Sequence, residues 1–380
     1  MRSSGVAQRM LADVIQAVET TVELLVGNNH DRAREVILDY PSALRCCDRL
    51  QFDEPSEAIA YLILHLPDRF CRMFQVLERL LASGRLPIGR SDRFAAIDIG
   101  AGPGPGIFAA RSFYVALAHY ANMQDPSWPV ATLGYSDVVE RGRAMSWVMH
   151  HFGEALVTAE RGREFPVGTG QSDPCAEELG DSAIPFGARY DDFSVLDIRG
   201  DHFGARERLA RELYDIDDLQ LSLEGARRLA YEEPIGRPSA YALAVMMNFL
   251  TPGSDAMTLL SEAISRLMGA SLVPGGTILV LGATSADYQE IYRQLDQRAE
   301  AAGLRIVDGF DQPLQAGHRP EELAAICSMT RRLWNQLEAL AGDLTPVKEE
   351  LRRRRAADIF DESLPFILPS FQVRAYRRGA

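Results

Sequence analysis

Residues 95–106 read Ala-Ala-Ile-Asp-Ile-Gly-Ala-Gly-Pro-Gly-Pro-Gly, and they constrain the fold more than any other segment. An apolar run ends in glycines at alternate positions and continues into the helix-compatible stretch Ile107–Ala121. A strand that turns so tightly into a helix is half of a strand–helix–strand unit, the building block of a parallel sheet with crossover helices. Glycine also lets the backbone adopt positive φ and approach a ligand where a side chain would obstruct it, so the turn predicts a nucleotide-type site. A dinucleotide fingerprint does not fit: Pro105 stands three residues after Gly102 and Ile107 three after Gly104. A phosphate loop is excluded because no Gly-Lys-Ser/Thr follows. Lys348 is the only lysine of the chain and lies in Lys348-Glu349-Glu350, so Schiff-base or phosphate-loop chemistry would have to use it.

The rest of the chain agrees with an α/β class. Apolar runs predict seven strands, at Ala95–Ile99, about Val130–Tyr135, Ser194–Ile198, Tyr241–Asn248, Thr277–Gly282, Leu304–Val307 and Phe371–Tyr376, with helices between them. Residues 1–90 read as helical, with Val14, Val18, Val22 and Leu25 at helical spacing, and Pro67 is expected to divide the run after Pro55 into two helices ending near Gly84. This gives an amino-terminal helical cap over 1–90 and an α/β domain over 91–380. Two long insertions fall at about 154–190 and about 312–366, of the kind that form lids or partner surfaces. A composition of 47% apolar and 24% charged residues excludes a largely disordered chain.

Four motifs in order carry a family resemblance. The pattern Asp98-x-Gly100-x-Gly102-x-Gly104 resembles the first motif of class I S-adenosylmethionine-dependent methyltransferases. Asp137 and Glu140 follow the second predicted strand, Leu272-Val273-Pro274-Gly275-Gly276 looks like the turn before the fifth, and Phe371–Tyr376 resembles the final strand, which inserts antiparallel. The resemblance covers about residues 91–380. It implies a Rossmann-like, mostly parallel sheet and S-adenosyl-L-methionine as cofactor, held at Asp98, Gly100, Ala101, Gly102 and Gly104. Either Asp137 or Glu140 would accept hydrogen bonds from the ribose hydroxyls. Asp201, with Asp197 as competitor, would meet the adenine. Met247 and Asn248, at the end of the fourth strand, would face the transferring methyl group. Of the histidines, His202 and His318 are the candidates for a catalytic base, while His150 and His151 read as surface or capping residues. No metal site is predicted, because Cys46, Cys47, Cys71, Cys175 and Cys327 form no C-x-x-C pair.

A narrower resemblance lies upstream. Glu57–Phe70 and the Gly-Pro-Gly of the turn look like the methyltransferase-like family associated with small ribosomal subunits, whose carboxyl-terminal cysteine set is not matched here. That resemblance implies methylation of ribosomal RNA or a ribosomal protein, or a non-catalytic assembly factor. Charge points elsewhere. The chain carries a formal charge of -13, from 53 acidic and 40 basic side chains, whereas nucleic-acid enzymes present a basic face. Arg352–Arg355 is flanked by Glu349, Glu350, Asp358 and Asp361 and reads as a solvated helix face. The favoured expectation is therefore methyl transfer to a small-molecule acceptor, in the specialised metabolism of a GC-rich bacterium. Leu11–Val26 is interrupted by Asp13, Glu19 and Glu23, so no signal peptide or membrane span is expected and the setting is read as cytoplasmic. The helical cap and insertions are compatible with a homodimer.

Overall fold

The computed structural model describes residues 3–45, 52, 54–88, 95–124, 135–139, 142–161, 186–188, 241–252, 257, 261–310, 313–314, 319–346, 349–350 and 371–379. The chain divides into two compact units, each discontinuous in sequence. One is drawn from residues 1–72, 142–180 and 317–369, the other from 73–141, 181–316 and 370–380.

The second unit is an α/β sheet. Its strands are β1 (Ala95–Ile99), β2 (Tyr135–Val139), β3 (Phe186–Ala188), β4 (Tyr241–Met247), β5 (Leu272–Ala283), β6 (Leu304–Ile306), β7 (Pro313–Leu314) and β8 (Phe371–Arg378). They lie in the order β3-β2-β1-β4-β5-β8-β6, with β7 also on β8. β1 through β5 pair in parallel, and β8 runs antiparallel to both β5 and β6. Every residue of β1 is buried and β4 is nearly so, as expected of parallel strands covered on both faces. The chain leaves β1 toward β2 on one side and returns to β4 on the other. The order of connection therefore reverses between β1 and β4, where open α/β sheets form a crevice at the carboxyl ends of their strands.

Several expectations change. The sheet holds eight strands among the described residues, not seven. The second strand is described at 135–139, beginning at the last residue of the expected run, whose residues 130–134 lie outside the described residues; the strand beside it is at 186–188, and residues 194–198 are outside the described residues as well. The Pro274-Gly275-Gly276 turn does not precede β5 but forms a bulge within it: Tyr241 pairs with Leu272, yet Leu243 pairs with Thr277. Gly275 takes φ 78°, and a Cβ on Gly276 would lie 2.9 Å from the Val273 carbonyl oxygen and 3.0 Å from that of Tyr241. Only glycines fit that bulge.

Around the sheet, α4 (Pro105–Gln124) packs on β1 and β4, α6 (Ser261–Ala270) on β5, and α7 (Ala286–Ala301) on α6 and β6. α7 buries Ile291, Tyr292, Leu295 and Ala299, one face at helical spacing. These join Ile97, Met246, Leu267, Ile278 and Tyr376 in one apolar core.

The other unit is helical: α1 (Ser3–Val26), α2 (His30–Arg45), the first part of α3 (Pro55–Ala82), α5 (Arg143–Arg161) and α8 (Pro320–Ala341). α1 packs on α5 and α8, and α2 on α8, where Trp334 meets the Tyr40 ring edge-on at 5.0 Å. Val14, Val18 and Val22 are buried as their spacing predicts. The serial division at residue 90 differs from these units, because α1 and α2 bury their apolar faces against helices contributed from far along the chain. Pro67 likewise does not split its segment, and α3 runs unbroken from Pro55 to Ala82. An interior proline removes one backbone hydrogen bond and costs about 3 kcal/mol; burial of Leu62, Ile63, Leu64, Leu66 and Phe70 around it offsets that.

α3 also carries charge inward. Asp68 and Arg72 form an ion pair at 2.9 Å with side chains only 5% and 7% exposed. His65 donates from Nε2 to the Ala43 carbonyl oxygen at 2.9 Å. Burial, and then the positive charge of Arg69, pull the His65 pKa down to about 3, so the ring is neutral at ordinary pH. Among the described residues, no helix is long and apolar enough to cross a membrane.

Candidate functional site

Asp98 sits next to last in β1 and is fully buried. Its Oδ2 accepts a hydrogen bond from the Ile107 backbone N–H at 2.9 Å. That amide belongs to the first turn of α4, whose N–H groups have no partners within the helix. The strand carboxylate thus does the work of a capping residue, with its charge at the positive helix end. It ties the two ends of the turn together.

Between those ends Gly100, Gly102 and Gly104 take φ of 64°, 59° and 85°. This left-handed region is open to glycine and costly for other residues. The Gly104 N–H donates to the Ala101 carbonyl oxygen at 3.0 Å, and Pro105 occupies the first helical position, where its missing N–H is no loss. Gly106 follows. A Cβ there would lie 2.6 Å from Asp98 Oδ2 and 3.0 Å from Val245 Cγ1, so α4 can seat on β1 and β4 only because this residue has no side chain.

β4 completes the edge. Its register places Val245 beside Asp98, so Met247, buried, and Asn248 end alongside the glycine turn. Asn248 takes φ 51°, a left-handed conformation that asparagine tolerates better than most residues, while its N–H donates to the Leu281 carbonyl oxygen at 2.8 Å. The chain then swings Phe249 over the turn. A Cβ on Gly100 would overlap the Phe249 ring and lie 2.8 Å from its Cβ. The absence of a side chain at Gly100 is required twice, by its φ and by this ring.

The structure therefore brings Asp98, Gly100, Ala101, Gly102, Gly104, Met247 and Asn248 to one carboxyl edge of the sheet. It places Asp137 differently from the expectation: the residue lies in the middle of β2, in register with Ile97 and Phe186, and not beyond the strand. β2 begins at Tyr135, the last residue of the expected apolar run, and ends at Val139, so Glu140 is the next acid after it in the sequence. Glu140, Asp197, Asp201, His202 and His318 lie outside the described residues. His150 and His151 engage Glu154 on their own helix, each at 3.5 Å. Phe249 and Gly106 were not singled out as site residues by sequence reasoning. An aromatic directly after the fourth strand and a glycine at the second helical position were the available signals. Among the described residues, no three His, Cys, Asp or Glu side chains are grouped to hold a metal ion.

No family model matches the sequence, and neither does any curated protein. Among solved structures, the chain is similar to phosphoethanolamine N-methyltransferase 2 of Haemonchus contortus in complex with S-adenosyl-L-methionine. The TM-score is 0.34 at 14% identity, covering 88% of this chain and 59% of that one. The same enzyme in complex with phosphomonomethylethanolamine and S-adenosylhomocysteine gives a TM-score of 0.28 at 14% identity, over 76% of this chain and 49% of that one. The chain spans half to three-fifths of the length of these structures.

Proposed function

We propose that the chain is an S-adenosylmethionine-dependent methyltransferase acting on a small-molecule acceptor. The observation that carries this reading is the turn after β1: three left-handed glycines held between Asp98 and the first turn of α4, at the point where the sheet's connections reverse. A turn with glycine at three alternate positions, tied at both ends by Asp98, suits the close approach of the cofactor's methionine part. The antiparallel seating of β8 between β5 and β6 agrees with the last strand that the sequence resemblance implies.

When bound, the cofactor supplies an electrophilic methyl carbon on a sulfonium. Displacement at that carbon is in-line, and holding the acceptor atom on the line is a large part of catalysis. Asp98 fixes the turn, Gly100, Gly102 and Gly104 admit the ligand, and Glu140 is the acid we assign to the ribose hydroxyls. Met247 and Asn248 form the strand end that faces the acceptor, and Phe249 walls it. A net charge of -13 supports a small acceptor over a nucleic acid.

Titration calorimetry with S-adenosylhomocysteine tests the reading. One saturable site per chain is expected, lost in Gly102→Val at unchanged secondary structure. Absence of both heat and thermal shift with the folded wild-type chain would overturn it.

A further inference from the structure

At the opposite end of the sheet from the glycine turn, the chain encloses an open cavity of about 420 Å³, a volume within the range of small-ligand sites. Its walls carry Arg85, Arg305, Arg377 and Arg378, with Asp308 as the one carboxylate among the lining residues. We propose that this cavity binds a small polyanion: a molecule presenting at least two oxyanion groups, phosphate or carboxylate, to the arginine cluster.

In the antiparallel β6–β8 pair, Arg305 stands directly opposite Arg377. Residues so placed share a face with Cβ atoms about 5 Å apart, and like charges there repel. Arginines are used to guard exposed sheet edges, but Arg377 is not on an edge, because β8 lies between β5 and β6. The neighbouring acid does not neutralise the pair. Asp308 is 95% exposed and sits 3.8 Å from Arg85, a surface contact of little strength. In a chain of charge -13, a cluster of four arginines around one concavity is a local reversal of sign, which concentrates anions.

The cluster is also held in place. The Arg378 guanidinium donates to the Leu272 carbonyl oxygen at 2.7 Å, and the Gly379 carbonyl oxygen accepts from the Gly275 N–H at 3.3 Å, which pins the strand end. Arg85 is turned toward the cavity where α3 stops: the Arg85 N–H donates to the Leu80 carbonyl oxygen at 2.8 Å, just after Gly84 at φ 67°. Planar guanidinium groups carried on separate elements, one of them anchored on Leu272, can grip two oxyanions bidentately, which a lysine cluster would do less selectively.

The test uses the full chain at low and at physiological salt, titrated calorimetrically with inorganic pyrophosphate and, separately, citrate. Saturable binding of one equivalent of either is expected, and the better of the two distinguishes a phosphorylated from a polycarboxylate ligand. Arg305→Gln should weaken it about tenfold or more. Arg85→Gln, which leaves the sheet untouched, should weaken it as well, so a folding defect in a strand variant would not decide the matter. Without ligand, Arg305→Gln should raise the melting temperature by relieving the repulsion, while shrinking the increment that pyrophosphate gives the wild type. S-adenosylhomocysteine binding should be the same in all three proteins, which separates this site from the glycine turn. Failure of both anions to saturate, equal binding by the variants, or retention only of RNA or anionic vesicles would overturn the proposal.

Discussion

Replacing Gly106 by alanine sets two effects against each other. By helix propensity alone the change should stabilise, since glycine is worse than alanine by about 1 kcal/mol in a helix interior and by less in a first turn. Packing opposes this. The new Cβ would come within 2.6 Å of Asp98 Oδ2, which cannot swing away without releasing the Ile107 N–H, and within 3.0 Å of Val245 Cγ1. Loss of a buried hydrogen bond to a charged group costs about 1–3 kcal/mol. Forcing a methyl into a close-packed contact costs about 1–3 kcal/mol more. The steric side wins, and Gly106→Ala should destabilise the chain by about 1–5 kcal/mol, net of the propensity gain. Urea unfolding would show this as a lower midpoint at unchanged slope. Gly269→Ala is the internal control: this glycine is also in a helix, but nothing lies within 4 Å of its would-be Cβ, so the variant should be unchanged or stabilised by up to ~1 kcal/mol. If Gly106→Ala matched or exceeded the wild type in stability, the close seating of α4 on Asp98 would be refuted.

Other expectations follow from the same packing. Gly100→Ala should lower stability by about 2 kcal/mol or more, since it forces an L-residue to φ 64° and drives a methyl into Phe249, and Phe249→Ala in the same chain should recover part of that loss, measurable as a non-additive double-mutant cycle. Asp68→Ala should cost about 3–5 kcal/mol by leaving Arg72 buried without its carboxylate, whereas the double change Asp68→Leu with Arg72→Met should restore most of it in the same unfolding assay. His65 has a pKa of about 3 in the folded chain against about 6.5 unfolded, so between these values the unfolded state binds more protons and stability falls as pH is lowered. Because the residue as a whole is only partly buried, that loss should be on the order of 2 kcal/mol rather than the full shift, and the stability difference between wild type and His65→Gln should vary with pH over this window. A difference independent of pH would contradict the buried, neutral assignment.

The turn after β1 was legible because its constraints are local. Alternating glycines after an apolar run leave few backbone solutions, and positive φ at Gly100, Gly102 and Gly104 is what the sequence demands. The α/β class and the positions of β1 and β4 were legible for a similar reason, since strands covered on both faces appear as unbroken apolar runs, whereas β6 and β8 showed only as short runs interrupted by Arg305, Gln372 and Arg374. Where the signal was mixed the sequence misled. Ser136-Asp137 is polar yet lies within β2, because cross-strand hydrogen bonding to β1 and β3, not hydrophobicity, set that register.

Apolar spacing and glycine chemistry therefore determined, from the sequence by itself, an α/β chain with a glycine turn at Asp98–Gly104 and a helical amino terminus. Only the tertiary structure decided what those pieces meet. It kept α3 whole across Pro67 by surrounding it with buried side chains, folded α1, α2, α5 and α8 into one unit from distant stretches of chain, swung Phe249 over Gly100, and set Arg305 against Arg377. Each of these depends on contacts between residues far apart in sequence. Local propensity carries no information about such contacts, and burial and cross-strand register supply it.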